Sequence, residues 1–549
     1  MYGDPYIWSD GKWIIQKSEM LLNATDSLFD YWEIKITPPH RRLRYGFQLY
    51  GNNEKLVLTE KGFYEDTIYD SNYYFCFPYL HASEILNTPE WVKDTRWYQI
   101  FPDRFANGNP SNDPENVQPW GKTDPTQTNF FGGDFEGVIQ HLDYLEDLGI
   151  NGIYFTPIFT ALSNHKYDTI DYFKIDSQFG TEEDLKRLVK ACHERGIKVM
   201  LDAVFNHSGY YFAPFQDLLE HGEQSKYVNW FHPHTFPLRG GERPNYEAFA
   251  FVESMPKLNT HNPEVKKYLL DVASYWITEF DIDGWRLDVA NEVDHQFWRE
   301  FRAVVREKKP DLYILGEVWH DSMPWLLGDQ FDAVMNYPFT TNVLNLLAKQ
   351  TITAQEFMNG MTTVIQSYPN NVMDVTFNLV GSHDTPRILT ECDEDMRRVK
   401  LIYILLYTFM GSPCMYYGDE IGMTGTQDPG CRKCMEWDKE QQNTELLNHI
   451  KKVISLRQSE KLLANIGSFQ FLNHNESDIV AYRKYQDEQN VVVMINPTDR
   501  QLTYTIPFNL KDISVKNLWS NEVEMDINQI QLEPFGFRIL AFTTLDQLI

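Results

Sequence analysis

The sequence predicts an α/β protein: a (β/α)8 barrel carrying a small inserted lobe, flanked by an N-terminal and a C-terminal β-sandwich. Three observations predict it. From about residue 93 to 462, short apolar runs alternate with segments of helical periodicity, and eight such runs stand out. Residues 1–92 and 463–549 instead carry short β-like runs broken by turn residues. Finally, three carboxylates, Asp288, Glu317 and Asp384, each close a strand-like run, the position that lies at the C-terminal mouth of such a barrel.

At 549 residues the chain exceeds one ordinary core, so several domains are expected. In the N-terminal part, Tyr31–Ile36 and Arg44–Tyr50 read as strands, separated by Pro and by Asn52-Asn53. The eight barrel strands are expected at Trp97–Ile100, Gly152–Phe155, Lys198–Asp202, Gly284–Asp288, Tyr313–Glu317, Ala333–Asn336, Val375–Val380 and Cys414–Tyr417. Helices fall between them. Thr181 caps one that carries Leu185, Leu188, Val189 and Cys192 on a single face and stops at Gly196. Asn262-Pro263 opens another, with Val265, Leu269, Val272, Trp276 and Phe280 on its buried side. The segment from about 208 to 256 is too long for a βα loop and is rich in aromatics and Pro, so it reads as a lobe over the barrel mouth. After 463, runs such as Val491–Ile495 restore the β pattern.

A net charge of -29 opposes phosphate backbones and anionic lipid, which argues against nucleic acid and membrane as partners. No run of about 18 apolar residues is present to span a bilayer. The first residues, Met1 to Trp8, show neither a basic nor an apolar leader segment, and a cytoplasmic location is the expectation. The 6 cysteines are sparse for a disulfide scaffold, and Cys431-x-x-Cys434 has no second pair to complete a zinc site, so free thiols are expected. Aromatic residues make up 15% of the chain. Most serve cores, and those left at the surface suit stacking on the apolar face of a sugar ring.

The acids carry the chemistry. A carboxylate ending an apolar run is costly to bury without a task, and three in order point to one acidic site. Cleavage of a glycosidic bond uses such a set: one carboxylate attacks carbon, another protonates the leaving oxygen, and the two stand about 5 Å apart when configuration is retained. Arg286 and Asp288 are two apart on one strand and share a face, with Trp285, Leu287 and Val289 on the other. The guanidinium is expected to lower the pKa of Asp288, as a nucleophile requires. Glu317 ends its run with no cation within two residues, an environment suited to a general acid. Asp384 and His383 are placed to hold sugar hydroxyls. Asp202 is placed to orient Arg286, and His207 to bind a hydroxyl.

Asp202-Ala-Val-Phe-Asn-His207, Gly284-Trp-Arg-Leu-Asp-Val-Ala-Asn-Glu292, Gly316-Glu-Val-Trp319 and Val380-Gly-Ser-His-Asp384 resemble the four ordered regions of the α-amylase family. Met255-Pro-Lys-Leu-Asn259 resembles the extra region of its neopullulanase, cyclomaltodextrinase and maltogenic amylase branch. Five regions in order over nearly the whole chain are a specific match. The resemblance implies a retaining hydrolase of α-1,4 bonds in cyclodextrins, maltooligosaccharides and pullulan, with some transglycosylation. Asp288 would be the nucleophile, Glu317 the acid/base and Asp384 the transition-state stabiliser. His165, Tyr167, Asp428 and Arg432 match sugar-binding segments, and Trp319, Phe249 and Tyr337 resemble aglycone and ring-substrate aromatics. Asn107, Asn109, Asn112 and Asp113, followed by Gly132 and Asp134, resemble the branch's structural calcium site, and their amide and carboxylate oxygens suit a hard cation. The resemblance also implies a homodimer formed through the N-terminal domain, which is similar to a starch-binding domain. This chain starts at Tyr2, where the branch has earlier strands, and that leaves the dimer and the preference for ring substrates open. Two other readings stay in play: an enzyme that mainly transfers sugars, and a barrel that only binds them. The second should have lost an acid, and this chain keeps all three.

Overall fold

The computed structural model describes residues 1–51, 54–472, 478–525, 527 and 529–544. Asn52 and Asn53, the expected break between N-terminal strands, lie outside the described residues, as do residues 545–549 of the expected C-terminal sandwich. The chain divides into two compact units, Met1–Asn87 and Thr88–Ile549.

The first unit is all β. Tyr2–Gly3, Leu43–Tyr45 and Phe75–Phe77 form one antiparallel sheet, and Phe47–Gly51, Glu54–Thr59 and Gly62–Tyr64 another. The expected strand Arg44–Tyr50 is therefore split between the two sheets at Gly46. A Cβ there would fall 2.8 Å from the Leu58 carbonyl and 2.7 Å from the Tyr74 ring, so only glycine lets the chain cross at this point. The other expected strand is shorter than predicted, Asp30–Glu33, and pairs with Leu21–Thr25.

The second unit is built on the barrel. Its strands are β1 (Trp97–Ile100), β2 (Gly152–Phe155), β3 (Lys198–Ala203), β4 (Gly284–Leu287), β5 (Tyr313–Gly316), β6 (Ala333–Val334), β7 (Phe377–Asn378) and β8 (Ser412–Tyr416). They pair in the parallel order β6-β5-β4-β3-β2-β1-β8-β7. A parallel bridge between Met335 and Phe377 closes the ring between β6 and β7. Trp97, Tyr154, Met200, Tyr313, Leu315, Ala333, Met335 and Phe377 fill the interior in one buried cluster. The barrel is thus a packed core whose upper rim alone is free for chemistry.

The crossover helices follow local signals. Helix α1 (Glu182–Glu194) begins at Thr181, whose hydroxyl accepts from the Asp184 N–H while the Asp184 side chain accepts from the Thr181 N–H. Its apolar stripe Leu185, Leu188, Val189 and Cys192 is buried, and Gly196 follows with φ +71°. Helix α2 (Pro263–Phe280) begins at Asn262, whose side chain accepts from the N–H groups of Glu264 and Val265. The inserted lobe leaves after His207 and returns at Lys257, which are bridge partners, and Ser208 N–H donates to the Pro256 carbonyl at 3.0 Å. Its two ends are thereby pinned together beside the barrel mouth. Phe215, Phe231 and Tyr246 pack edge to face within the lobe, with ring centres 5.0 and 5.2 Å apart.

After the barrel a six-stranded antiparallel sheet runs in the order Ser468–Phe471, Val480–Gln486, Gln489–Ile495, Phe537–Thr543, Ser514–Asn517, Val523–Met525. The pair Leu502–Thr505 and Gln529–Leu532 packs with it around Ala481, Val492, Met494, Val515, Leu532 and Leu540. No helix among the described residues is long and apolar enough to cross a membrane.

Candidate active site

Strand register builds the site. Asp202 on β3 and Arg286 on β4 are register partners, so their inward side chains meet. One step further, Leu287 pairs with Gly316, which brings Asp288 and Glu317 to a common level just above the strands. The carboxylates converge on one cation. Arg286 Nη1 donates to both oxygens of Asp202 at 3.1 Å and to Asp288 Oδ1 at 2.7 Å. Its Nη2 pairs with Glu317 Oε1 at 2.8 Å. Asp288 and Glu317 therefore lie within two hydrogen bonds and one guanidinium width of each other, about 8 Å at most.

This arrangement corrects two expectations. Glu317 does have a cation, because β4 delivers Arg286 to it from the neighbouring strand. Asp288 does not have a lowered pKa: burial pushes its carboxyl well up, the Arg286 charge opposes this, and Glu317 and Asp202 add to the rise. One guanidinium divided among three carboxylates cannot hold each of them down. Burial likewise pushes Asp202 up to about 6. Val289 also departs from the strand pattern. It has φ +47°, and its N–H turns to donate to Glu317 Oε2 at 2.9 Å. A β-branched residue in that conformation costs roughly 1–2 kcal/mol, offset here by a bond that orients an acid.

Above these groups lies a second layer. Asp384 Oδ1 accepts from Arg432 Nη2 at 3.1 Å, and its Oδ2 lies 3.1 Å from His383 Nε2. Arg432 Nη1 pairs with Asp428 Oδ1 at 3.0 Å, and its Nε donates to the His383 carbonyl at 2.8 Å. Tyr167 lies parallel to the His383 ring, with centres 5.4 Å apart, and its hydroxyl donates to Asp202 Oδ2 at 3.0 Å. The Tyr167 N–H donates to His165 Nδ1 at 3.1 Å, so the Nε2 of a neutral His165 carries the ring proton. His207 is fully buried beneath Phe249, their rings 5.1 Å apart, and its Nε2 has no partner. Trp319 stacks on Tyr337 at 3.5 Å, and both direct a donor toward Glu317 Oε1, at 3.3 and 3.4 Å. Burial pushes His165 down to about 4, His207 to about 3 and His383 well below the usual range. The three imidazoles are neutral at neutral pH. The structure thus gathers Asp288, Glu317, Asp384, Arg286, His165, Tyr167, His207, His383, Asp428, Arg432, Trp319, Tyr337 and Phe249 around one barrel mouth.

The chain matches the model described as "Alpha amylase, catalytic domain" over residues 99–465 and that described as "Alpha amylase, N-terminal ig-like domain" over residues 1–81. The chain belongs to the α-amylase family. It is 57% identical to a maltogenic alpha-amylase from Bacillus acidopullulyticus, over 99% of this chain and 93% of that one. It is 56% identical to a cyclomaltodextrinase from Geobacillus thermopakistaniensis (strain MAS1), over 98% and 93%. A solved cyclomaltodextrinase structure, 48% identical, superposes with a TM-score of 0.94 over 98% of this chain and 93% of that chain. As a member of this family the protein is a glycoside hydrolase acting on α-glucans.

Two contributors to the site escaped the sequence reading. Tyr154 donates to Asp202 Oδ2 at 2.6 Å, and Gln99 Nε2 lies 2.8 Å from His383 Nδ1. Both are polar groups at inward-facing positions of otherwise apolar strands, and that break in pattern was the available signal.

The loop resembling a calcium site is folded around backbone amides. Asp134 accepts from the N–H groups of Gly108 at 3.0 Å, Asn109 at 2.8 Å and Gly137 at 2.7 Å, capping the helix Phe135–Gln140. Asn109 Oδ1 accepts from the Ser111 hydroxyl at 2.7 Å. Asn107 Nδ2 donates to Asp113 Oδ1 at 2.7 Å. Gly132 lies against both, since a Cβ there would meet that oxygen at 2.3 Å. The Oδ1 atoms of Asn107 and Asn112 are buried without a partner. Two orphan amide oxygens beside a carboxylate are the donor set a hard cation takes.

Proposed function

We propose that the protein is a retaining hydrolase cutting the α-1,4 bonds of cyclodextrins, maltooligosaccharides and pullulan, with some transfer to sugar acceptors. The observation that carries this reading is the single Arg286 guanidinium binding Asp202, Asp288 and Glu317 at once. In the first step an Asp288 oxygen attacks the anomeric carbon, the glycosidic C–O bond breaks, and the Glu317 proton passes to the leaving oxygen. In the second, Glu317 takes a proton from water, the water oxygen bonds to the same carbon, and Asp288 is released. Arg286, which donates to Asp288 Oδ1 at 2.7 Å, would oppose the rise that burial imposes on that carboxyl and aim it at the anomeric carbon. Asp384, fixed by Arg432, would hold two sugar hydroxyls, and the neutral histidines would bind others. The Trp319–Tyr337 stack beside Glu317 suits a sugar in the acceptor position, where its hydroxyl can replace water. That supports partial transfer over hydrolysis alone.

Calcium, held by Asn107, Asn112 and Asp113 with the Gly132 backbone, would be structural and take no part in bond cleavage. Asn109 and Asp134 would shape the loop. A cytoplasmic location is supported by the six unpaired cysteines, five of them buried. We retain three domains, 1–92, 93–462 and 463–549 with the lobe at about 208–256, and a homodimer formed through the N-terminal domain.

Incubation with β-cyclodextrin at neutral pH tests the reading: maltose and glucose should appear, the α-anomer first by NMR. Glu317→Gln should lose several orders of magnitude in turnover while still binding sugar. Undiminished turnover, or a β-anomer first, rejects the assignment.

A further inference from the structure

His383 meets Gln99 on one side of its ring and Tyr167 and Asp384 on the other. His383 is fully enclosed by the barrel wall, at 1% exposure, as is Gln99. The groups facing its ring are Tyr167, Asp384, Arg432, Arg286, Glu317 and His165, with the Phe101 ring 6.4 Å away. A neutral imidazole has one donor and one acceptor, and its surroundings decide which nitrogen is which. On the Nε2 side lie the Tyr167 hydroxyl at 2.8 Å and Asp384 Oδ2 at 3.1 Å. The Tyr167 proton is already given to Asp202 Oδ2, so its oxygen offers only lone pairs. An ionised Asp384 also only accepts. Both neighbours therefore demand a proton on Nε2, which leaves Nδ1 bare. The group 2.8 Å from Nδ1 is the side-chain amide nitrogen of Gln99, a donor. This orientation of the amide is the one the rest of the network requires.

We infer that Gln99 is a positioning residue for the glycosidase reaction: by donating to Nδ1 it locks His383 as the Nε2–H tautomer, facing Asp384 and the sugar hydroxyls. Donors and acceptors then run in one direction, from Gln99 to His383, to Tyr167 and to Asp202, where Arg286 donates from the other side. The chain joins the two layers of the site, and it starts on β1, which contributes no other polar side chain to it. The inference rests on the function proposed above, in which Asp384 and His383 hold substrate.

The test separates the two. In wild-type protein labelled with 15N-histidine, the His383 resonances should show a protonated Nε2 and a bare Nδ1, whatever the activity. Gln99→Leu takes the donor from Nδ1 and leaves the ring held on one side only, so kcat/KM on β-cyclodextrin should fall by about tenfold to a hundredfold. Gln99→Glu keeps the size but reverses the demand. Its carboxylate calls for a proton on Nδ1, so His383 becomes imidazolium and the pH profile of kcat/KM gains an ionisation that the wild type lacks. The inference is overturned by a wild-type His383 protonated on Nδ1, or by a Gln99→Glu profile that superimposes on the wild type. It is equally overturned by a folded Gln99→Leu protein with wild-type kcat and KM. Lack of wild-type hydrolysis with the Nε2–H signature intact would instead sink the functional reading.

Discussion

At the scale of single residues, burial outweighs neighbours in sequence. Asp288 is two residues from Arg286 and still has its carboxyl pushed up, because it is fully buried with two other acids. The same competition occurs away from the cleft. Asp419 pairs with Arg387 at 2.9 Å, and burial nevertheless pushes it up to about 6. A carboxyl raised in the folded state takes up protons on folding. Its contribution is full below the unfolded value near 4 and is lost as pH rises through about 6. Asp419→Asn should therefore gain stability relative to wild type between pH 4 and pH 7. Thermal midpoints of the two proteins across that range check this, and a constant gap would contradict it.

At the scale of elements, connections are held by buried groups that bond to carbonyls. Arg457, on the helix Thr444–Ser459, donates to the carbonyls of Tyr407 at 3.0 Å, Phe409 at 3.2 Å, Leu463 at 2.8 Å and Gly411 at 2.7 Å. It binds the end of the preceding helix, Met396–Thr408, to the turn that leads into the C-terminal sheet. Arg457→Met would take a donor from all four carbonyls, and among the described residues only those of Leu463 and Gly411 would keep another, from Lys484 Nζ and Asn465 Nδ2. A loss of about 3 kcal/mol or more is expected, read as a lowered thermal midpoint with far-UV CD unchanged below it. The Asn107–Asp113 loop poses the same accounting problem, with two amide oxygens left over. If calcium satisfies them, EDTA should lower the midpoint by several degrees and added calcium should restore it, while magnesium should not. Indifference to EDTA would remove the metal from the proposal.

At the scale of the molecule, the two units differ in surface. The Met1–Asn87 unit exposes Leu21, Leu28, Phe29, Trp32, Tyr50 and Phe63. Leu28 is 79% and Trp32 57% exposed. Apolar side chains collected on so small a domain favour association with another protein surface, and this supports the proposed dimer. Sedimentation equilibrium should give twice the chain mass, with Leu28→Asp/Trp32→Asp shifting it toward one. A monomer at all concentrations would remove the dimer from the proposal.

The barrel was legible because its signals are local. Alternation along a strand, a Thr or Asn ahead of an apolar helical stripe, and an acid closing each run are all properties of neighbouring residues. The expected strands at 97–100 and 152–155 agree with β1 and β2 to the residue. The expected run at 375–380 shrank to Phe377–Asn378, because pairing depends on what lies alongside. The sequence by itself determined that Asp288 and Glu317 directly follow β4 and β5 and face the mouth, whereas Asp384, expected to close a strand, stands in a turn beyond β7. Only the tertiary structure decided how they are charged. Arg286 reaches Glu317 across a strand, Gln99 meets a histidine 284 positions later, and burial sets Asp288 against its own neighbour. Coulomb and hydrogen-bond energies depend on distance through space and on solvent exclusion, and neither quantity is written along the chain.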